Sequence, residues 1–244
     1  MTAITPSLHV PVDVDSLLRD WRAVARLIDH TLVGPAATRA QLARLCDEAA
    51  FYGFASVSVH PALLADAVAR LRGSSVKAGA PVGFPFGATL TGAKRDEAAG
   101  LVRLGAQELD MVMNVGALKS GERVLVQQDI AAVAHVAHDA GAIVKVILET
   151  GLLTIDEKIL ACELAVAAGA DFVKTSTGTF GGPATADDVA LMRGVVGDRA
   201  RVKASGGIRS ADGVAAMVRA GADRIGTSAS VAIVRELGAP EFAA

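Results

Sequence analysis

The chain has 244 residues, of which 52% are hydrophobic and 20% charged, and its formal net charge is −2. This composition excludes a disordered protein, and without a Lys/Arg cluster it excludes the basic footprint of a nucleic-acid-binding domain. We find no apolar run long enough to span a bilayer, and the first residues lack the order of a secretory signal. The only cysteines, Cys46 and Cys162, lie in helix-like segments, so we expect a cytoplasmic protein with reduced, buried thiols.

In chain order, residues 1–22 include Pro6 and Pro11 and are interpreted as an N-terminal arm outside the folded domain, which we place at 23–244. Runs rich in β-branched residues that end in turn residues then recur along the domain. They predict eight strands, at 25–31, 55–60, 76–84, 108–114, 143–149, 171–177, 201–206 and 223–228.

Ala-rich amphipathic segments separate these strands. They predict helices at 38–50, 92–104, 124–139, 154–168, 185–196 and 210–219. Four residues can act as N-caps, namely Thr38, Thr154, Thr185 and Ser210. Four Gly-Ala pairs fit helix C-termini, with the glycines at 105, 141, 169 and 221. Eight strands alternating with helices, without a composition break, predict a single-domain (β/α)8 TIM barrel, whereas the alternative doubly wound sheet rarely needs eight parallel strands.

Three charged side chains lie in strands, where a charge is costly to bury. Asp110 belongs to the fourth predicted strand, Lys174 to the sixth and Lys203 to the seventh. Alternate residues of a barrel strand point inward, and the active site of a barrel lies at the C-terminal ends of its strands. If the apolar sides of these strands face the helices, the three charged side chains converge inside the mouth of the barrel.

Two lysines beside one carboxylate suit amine catalysis. A free lysine has a pKa of about 10.4 and is a poor nucleophile at neutral pH, but burial and a neighbouring cation lower that pKa. We expect Lys203 to be this cation for Lys174, with Asp110 relaying protons. The amine would condense with a carbonyl compound to a Schiff base, which accepts the electrons of a breaking carbon–carbon bond. A buried Lys174–Asp110 ion pair without catalysis is the alternative.

Two Gly-rich turns follow the last two predicted strands. The motif SGGIRS contains Gly206 and Gly207, and the motif GTSAS contains Gly226 and Ser228. Backbone N–H groups in such turns can hold a phosphate, and the loops after strands seven and eight are the usual phosphate site of a barrel. The sequence therefore predicts a small phosphorylated carbonyl compound as the substrate.

Taken together, these motifs resemble those of the deoxyribose-phosphate aldolases, a family of class I aldolases. The resemblance runs in order through LIDHTL at 27–32, VGFPFG at 82–87, ELDMVMN at 108–114, KVILET at 145–150, DFVKTSTG at 171–178, KASGGIR at 203–209 and RIGTS at 224–228. It implies a barrel enzyme that needs no metal or cofactor and that reversibly cleaves 2-deoxy-D-ribose 5-phosphate to acetaldehyde and D-glyceraldehyde 3-phosphate. A homodimer is the family-like expectation.

The resemblance also implies roles for individual residues. Lys174 becomes the Schiff-base lysine, Asp110 the proton donor and acceptor, and Lys203 the partner that depresses the pKa of the nucleophile. Asp29 and Thr31 match a polar position that orients either the substrate hydroxyl or Lys203. Further positions are expected to contact the substrate, namely Ser58, Thr177, Gly206, Gly207, Gly226 and Ser228.

The chain departs from the family pattern at two positions. Ser58 stands where several members carry Cys, whose thiol can add to unsaturated aldehydes, so we expect better tolerance of aldehyde. Thr179 stands where some members carry a Lys that meets the phosphate. Phosphate recognition is therefore expected to depend mostly on backbone N–H groups.

Other polar residues receive structural interpretations. His135 and His138 have a spacing that can bind metal, but no third ligand is evident, so we interpret them as a solvated helix face. Lys145 is interpreted as a structural ion-pair partner of Asp110 or Glu149.

Three alternative functions stay open. Another Schiff-base barrel, such as a transaldolase or fructose-bisphosphate aldolase, would act with a ketose phosphate but not with acetaldehyde. A phosphate-binding barrel without catalysis would bind sugar phosphate without turnover. A barrel similar to a phosphoribosyl isomerase normally works with carboxylates rather than with paired lysines.

Overall fold

The computed structural model describes residues 13–243, which contain a closed barrel of eight parallel strands in sequence order. The strands are β1 (Ile28–Leu32), β2 (Ser56–Val59), β3 (Lys77–Val82), β4 (Glu108–Val112), β5 (Ile143–Ile147), β6 (Phe172–Lys174), β7 (Arg201–Ser205) and β8 (Arg224–Thr227). Pairing of Ile28 in β1 with Ile225 in β8 closes the barrel. The (β/α)8 barrel predicted from the sequence is confirmed.

Helices surround the strands. They are α1 (Val14–Leu18), α2 (Trp21–Ala25), α3 (Arg39–Tyr52), α4 (Leu64–Arg70), α5 (Thr91–Arg103), α6 (Val115–Lys119), α7 (Arg123–Asp139), α8 (Ile155–Ala167), α9 (Ala186–Val196), α10 (Ala211–Arg219) and α11 (Ser230–Glu236). The six predicted helices correspond to α3, α5 and α7–α10. The short helices α4 and α11 were not predicted, and neither has a side-chain N-cap that would mark its start.

The predicted helix ends are confirmed. All four predicted N-cap side chains accept a backbone N–H of the first turn, at Thr38, Thr154, Thr185 and Ser210. Thr38 and Thr154 form capping boxes with Gln41 and Glu157. The four predicted C-terminal glycines have φ between 71° and 107°, which a glycine adopts without steric cost. These turns return the chain from each helix to the start of the next strand.

Apolar and charged side chains alternate along β4 and β6, as the predicted meeting of Asp110 and Lys174 inside the barrel requires. Leu109 and Met111 of β4 belong to the hydrophobic core of the protein, and so does Val173 of β6. Asp110 and Lys174, which alternate with them, contact each other across the barrel interior. The apolar faces of these strands therefore pack against the helices and leave the charged residues inside.

The segment predicted as an arm, residues 1–22, lies partly outside the described residues. In the described part, α1 packs against α10 and α2 against α11. Val14 and Val24 are buried, so these two helices lie directly on the barrel. The boundary between an arm and the barrel stays a prediction.

The two cysteines are buried and unpaired, as predicted from their helical setting. Cys46 lies in α3 and Cys162 in α8, and both belong to the hydrophobic core. None of the helices between residues 13 and 243 combines the length and the apolar character needed to cross a membrane.

A buried ion pair connects two helices to the end of β4. Lys94 Nζ of α5 lies 2.5 Å from Asp129 Oδ2 of α7 and donates to the Val112 carbonyl at 3.0 Å. One turn further along α5, Glu97 accepts the Gly83 N–H at 2.8 Å. Helix α5 therefore fixes the backbone after β3 and at the end of β4. Both positions lie at the C-terminal ends of strands, next to the mouth of the barrel.

We expect Lys94→Met to lower the free energy of unfolding by about 3 kcal/mol, because it leaves the buried Asp129 carboxylate without its counter-charge. Denaturant unfolding measures this loss. Adding Asp129→Asn to Lys94→Met removes the orphaned charge and should restore part of the stability. If Lys94→Met alone is as stable as the wild type, the ion pair between Lys94 and Asp129 does not stabilise the fold.

Candidate active site

Asp110, Lys174 and Lys203 meet inside the mouth of the barrel, as predicted. Lys174 Nζ and Lys203 Nζ each lie 2.7 Å from Asp110 Oδ2. The two lysines are register partners on β6 and β7, and Asp110 reaches them from β4. Lys174 borders a cavity, whereas Lys203 is only 1% exposed and lies beneath it. Lys174 is therefore the amine of this pair that a ligand can reach.

Lys145 of β5 occupies the other oxygen of the same carboxylate. Its Nζ lies 2.8 Å from Asp110 Oδ1, 2.6 Å from Glu108 Oε2 and 3.3 Å from Asp29 Oδ2. The predicted ion pair with Asp110 is present, while the alternative partner Glu149 forms hydrogen bonds elsewhere. Lys145 thus fixes Asp110 from below and leaves Oδ2 to the two lysines above.

Asp29 connects the second lysine to the base of the barrel. Its Oδ2 lies 2.5 Å from Lys203 Nζ, and its Oδ1 lies 2.6 Å from Arg224 Nη1. Thr31 donates to the Asp29 backbone carbonyl at 2.9 Å and lines the cavity. The resemblance implied that Asp29 orients either the substrate hydroxyl or Lys203. Because Asp29 is fully buried and contacts Lys203, the geometry supports the second role.

The charges of this network are almost balanced. Among the described residues it comprises three carboxylates and four cations, namely Asp29, Glu108, Asp110, Lys145, Lys174, Lys203 and Arg224. With every group ionised, four positive and three negative charges leave a net +1. Because an unbalanced buried charge is costly, release of one proton is favoured. Lys174 can release it, since its amine borders the cavity.

Burial lowers the pKa of Lys174 to about 8. The negative charge of Asp110 opposes this shift, whereas the positive charges of Lys203 and Lys145 add to it. Burial alone would raise the pKa of Asp110, but the three lysines outweigh it and hold that pKa well below its usual range. At neutral pH, Asp110 is therefore a carboxylate, and part of Lys174 is the neutral amine, the form in which a lysine can act as a nucleophile.

A cavity of about 510 Å³ opens above Lys174 at the C-terminal ends of the strands. Eight of the residues singled out from the sequence line it, namely Thr31, Ser58, Lys174, Thr177, Gly206, Gly207, Gly226 and Ser228. The other three, Asp29, Asp110 and Lys203, are buried beneath it. The fold therefore brings the whole predicted set to one place.

Two different structural requirements explain why glycine occupies these positions around the cavity. Gly206 and Gly207 have φ of 97° and 76°, and a Cβ on Gly207 would lie 2.7 Å from Pro183 Cβ. They allow the tight turn at the edge of the cavity. A Cβ on Gly226 would instead lie 2.9 Å from Lys203 Cε, so this glycine also provides the space for the lysine side chain.

Arg209 also lines the cavity and was not singled out from the sequence. Its side chain is exposed, and it follows the Gly206–Gly207 turn by two residues. A guanidinium can bind an anionic group through several N–H donors. Thr179 lines the same cavity without a charge. The sequence signal that could have identified Arg209 is a cation two residues after a Gly-Gly turn.

The two histidines interpreted as a solvated helix face lie in α7. His135 is exposed, and His138 Nε2 lies 3.0 Å from Asp171 Oδ2, next to the start of β6. This is the N-terminal end of the strand, opposite the cavity, so His138 has a structural partner away from the candidate site.

The family model for DeoC/LacD family aldolases matches residues 10–236. A deoxyribose-phosphate aldolase of Geobacillus sp. (strain WCH70) is 54% identical over 211 residues, which cover 86% of this chain and 94% of the relative. Another, of Aciduliprofundum boonei, is 52% identical and covers 89% of this chain and 98% of the relative. The solved deoxyribose phosphate aldolase of Aeropyrum pernix superimposes with a TM-score of 0.85 at 33% identity, covering 95% and 98% of the two chains. Since the match includes all eight strands and the loops around the cavity, the chain belongs to the DeoC/LacD family of aldolases.

Proposed function

We propose that this protein is a class I aldolase that reversibly cleaves 2-deoxy-D-ribose 5-phosphate to acetaldehyde and D-glyceraldehyde 3-phosphate. The observation that carries the proposal is the position of Lys174, whose amine borders the cavity while it contacts Asp110 beside Lys203. The substrate comes from the family relationship, because the relatives described above are named deoxyribose-phosphate aldolases.

The reaction begins with the neutral amine of Lys174. Its nitrogen attacks the aldehyde carbon of the open-chain sugar, and the former carbonyl oxygen takes up protons and leaves as water. The product is a protonated imine, which is an electron acceptor next to the carbon–carbon bond to be broken. The lowered pKa of Lys174, at about 8, keeps enough neutral amine available for this step.

Cleavage then needs a group that moves protons near the imine. The electrons of the bond between C2 and C3 move into the imine to form an enamine, while the C3 hydroxyl loses its proton and becomes the aldehyde of the three-carbon product. Asp110 is the carboxylate in place to relay this proton, with Lys203 on the same oxygen. Protonation of the enamine and hydrolysis of the imine release acetaldehyde and restore Lys174.

The phosphate fits best at the side of the cavity formed by the turns after β7 and β8, opposite β3 and β4. The turn formed by Gly206 and Gly207 offers backbone N–H donors, Arg209 offers a guanidinium, and Ser228 offers a hydroxyl. Placing the phosphate here leaves the aldehyde end of the sugar for Lys174.

We also propose a cytoplasmic homodimer. Buried, unpaired thiols at Cys46 and Cys162 suit a reducing compartment. Self-association is supported by exposed apolar side chains, including Phe86, Leu90 and Ile155. The relative from Aeropyrum pernix is described as tetrameric, so self-association has a precedent in a similar protein.

The first experiment is a borohydride trap. Incubation with acetaldehyde or 2-deoxy-D-ribose 5-phosphate, reduction, digestion and mass spectrometry should locate an ethyl adduct on Lys174 with acetaldehyde, because the reduced imine retains the two-carbon unit. Lys174→Ala should carry no adduct at the site. Folded wild-type protein without any adduct or cleavage would contradict the proposed function.

The pH dependence of kcat/KM reports the ionisation of Lys174 in the free enzyme. We expect kcat/KM to rise with pH up to about 8, because the amine becomes neutral as its proton is lost. Lys203→Met removes a cation that lowers this pKa, so the rise should move to higher pH and activity at pH 7 should fall at least about tenfold. The exposed lysine variant Lys77→Met is the matched control. An unmoved profile in Lys203→Met would rule out its proposed effect on the pKa.

Ser58 lines the cavity at 6% exposure, which makes it accessible to a small reactive aldehyde. We expect Ser58→Cys to be inactivated by crotonaldehyde faster than the wild type, because a thiolate can add to the carbon–carbon double bond whereas a hydroxyl does so poorly. Residual activity after timed exposure measures the difference. Equal rates of inactivation in the two proteins would remove the idea.

A further inference from the structure

Glu149, two residues after β5, has a left-handed backbone conformation, which is unusual for a residue other than glycine. Its φ and ψ are both 58°, and among residues 13–243 it is the only residue other than glycine with a positive φ. Such a conformation is strained for a residue with a Cβ and persists only where the surrounding structure holds it. Strained positions of this sort cluster at functional sites.

The backbone on both sides of Glu149 is attached to the segment that carries Lys174. The Leu148 N–H donates to the Lys174 carbonyl, and the Thr150 N–H donates to the Thr175 carbonyl, both at 2.9 Å. These two hydrogen bonds fix the chain before and after Glu149 against the extension of β6. The strained residue is therefore held in register with the proposed nucleophile.

The Glu149 side chain turns toward Thr177, which lines the catalytic cavity. The Thr177 hydroxyl donates to Oε2 at 2.5 Å, and the Thr177 N–H donates to the same carboxyl group at 3.2 Å and 3.3 Å. The carboxyl group is buried, at 2% exposure. Burial raises the pKa of Glu149, while the two donors of Thr177 and the charge of Lys174 favour its ionised form.

These bonds determine what the Thr177 hydroxyl can offer to a ligand. A threonine hydroxyl has one proton and two lone pairs. Its proton is committed to Glu149, and one lone pair accepts the Thr179 N–H at 3.0 Å. The remaining lone pair can only accept a hydrogen bond, so a group that meets it in the cavity must be a donor.

We propose that Glu149 is a positioning residue that fixes the Thr177 hydroxyl as a hydrogen-bond acceptor for a hydroxyl group of the substrate. The inference rests on the proposed function, whose sugar phosphate carries hydroxyl groups, and it extends that function by naming the residue that sets the polarity of this contact. Acetaldehyde has no hydroxyl group, so its reaction with Lys174 does not use the contact.

The surroundings of Glu149 guide the choice of variants. It also lines a second, largely apolar cavity of about 200 Å³ that includes Phe86 and Phe180, so the Glu149–Thr177 contact separates this space from the catalytic cavity. Glu149→Leu keeps the separating side chain but removes the acceptor, whereas Glu149→Gln keeps an acceptor oxygen. Thr150→Val is a matched control, because the buried Thr150 hydroxyl next to Glu149 has no hydrogen-bond partner among the described residues.

The experiment measures kcat and KM for 2-deoxy-D-ribose 5-phosphate together with the rate of borohydride trapping by acetaldehyde. We expect Glu149→Leu to raise KM about tenfold and to leave acetaldehyde trapping unchanged, since the Thr177 hydroxyl is no longer held in the orientation that accepts a hydrogen bond from the substrate. Glu149→Gln should keep most of the affinity, and Thr150→Val should behave as the wild type. Thr177→Val should raise KM similarly, and the double variant with Glu149→Leu should show no further increase.

Three outcomes would each overturn the inference. They are an unchanged KM in Glu149→Leu, an equal rise in KM in Glu149→Gln and Glu149→Leu, and additive effects of Glu149→Leu and Thr177→Val on KM. If Glu149→Leu does not fold, Glu149→Gly replaces it, because glycine adopts this backbone conformation freely, and the same KM increase is expected. Absence of trapping and cleavage in the wild type would instead contradict the proposed function, so the two failures are distinguishable.

Discussion

The structure depends on one carboxylate, that of Asp110, which holds three lysine side chains in the barrel interior. Its two oxygens contact Lys145, Lys174 and Lys203 at 2.7–2.8 Å. Without this negative charge, three amines would share a space with little water to screen their repulsion, and the cost of burying them would be severe. With it, the three amines share a negative partner, and burial lowers the pKa of the one at the cavity, Lys174, to about 8.

The geometry of a parallel barrel makes this arrangement possible. Adjacent strands in register bring Lys174 and Lys203 side by side, and the barrel interior lets Asp110 reach them from two and three strands away. The small residue Gly226 on β8 leaves room for the Lys203 side chain. The contacts of Asp110 with Lys174 and Lys203 join strands that are not neighbours, so they depend on the curvature of the barrel.

The site divides into a charged floor and a mouth built from backbone. Below Lys174, ionic groups on the strands hold one another in fixed positions, whereas above it the turns after β6, β7 and β8 present N–H groups and hydroxyls to the cavity. Glu149 lies outside the ionic network of the floor: its side chain bonds to Thr177 in the mouth, although its carboxyl group still feels the charge of Lys174. In the proposed reaction, bond cleavage and substrate orientation depend on different residues, so we expect single substitutions to separate them.

The sequence by itself determined the barrel, because alternation along strands and capping signals at helix ends are local properties that the fold preserved. It also placed Asp110 and Lys174 on one face of their strands, since side-chain parity needs no knowledge of the partner strands, whereas the structure showed that this face points inward. Only the tertiary structure decided which oxygen meets which amine, that Lys145 binds Asp110 rather than Glu149, and that Arg209 reaches the cavity. Those contacts join residues far apart in the chain, and their distances follow from closure and register, which local sequence patterns do not encode.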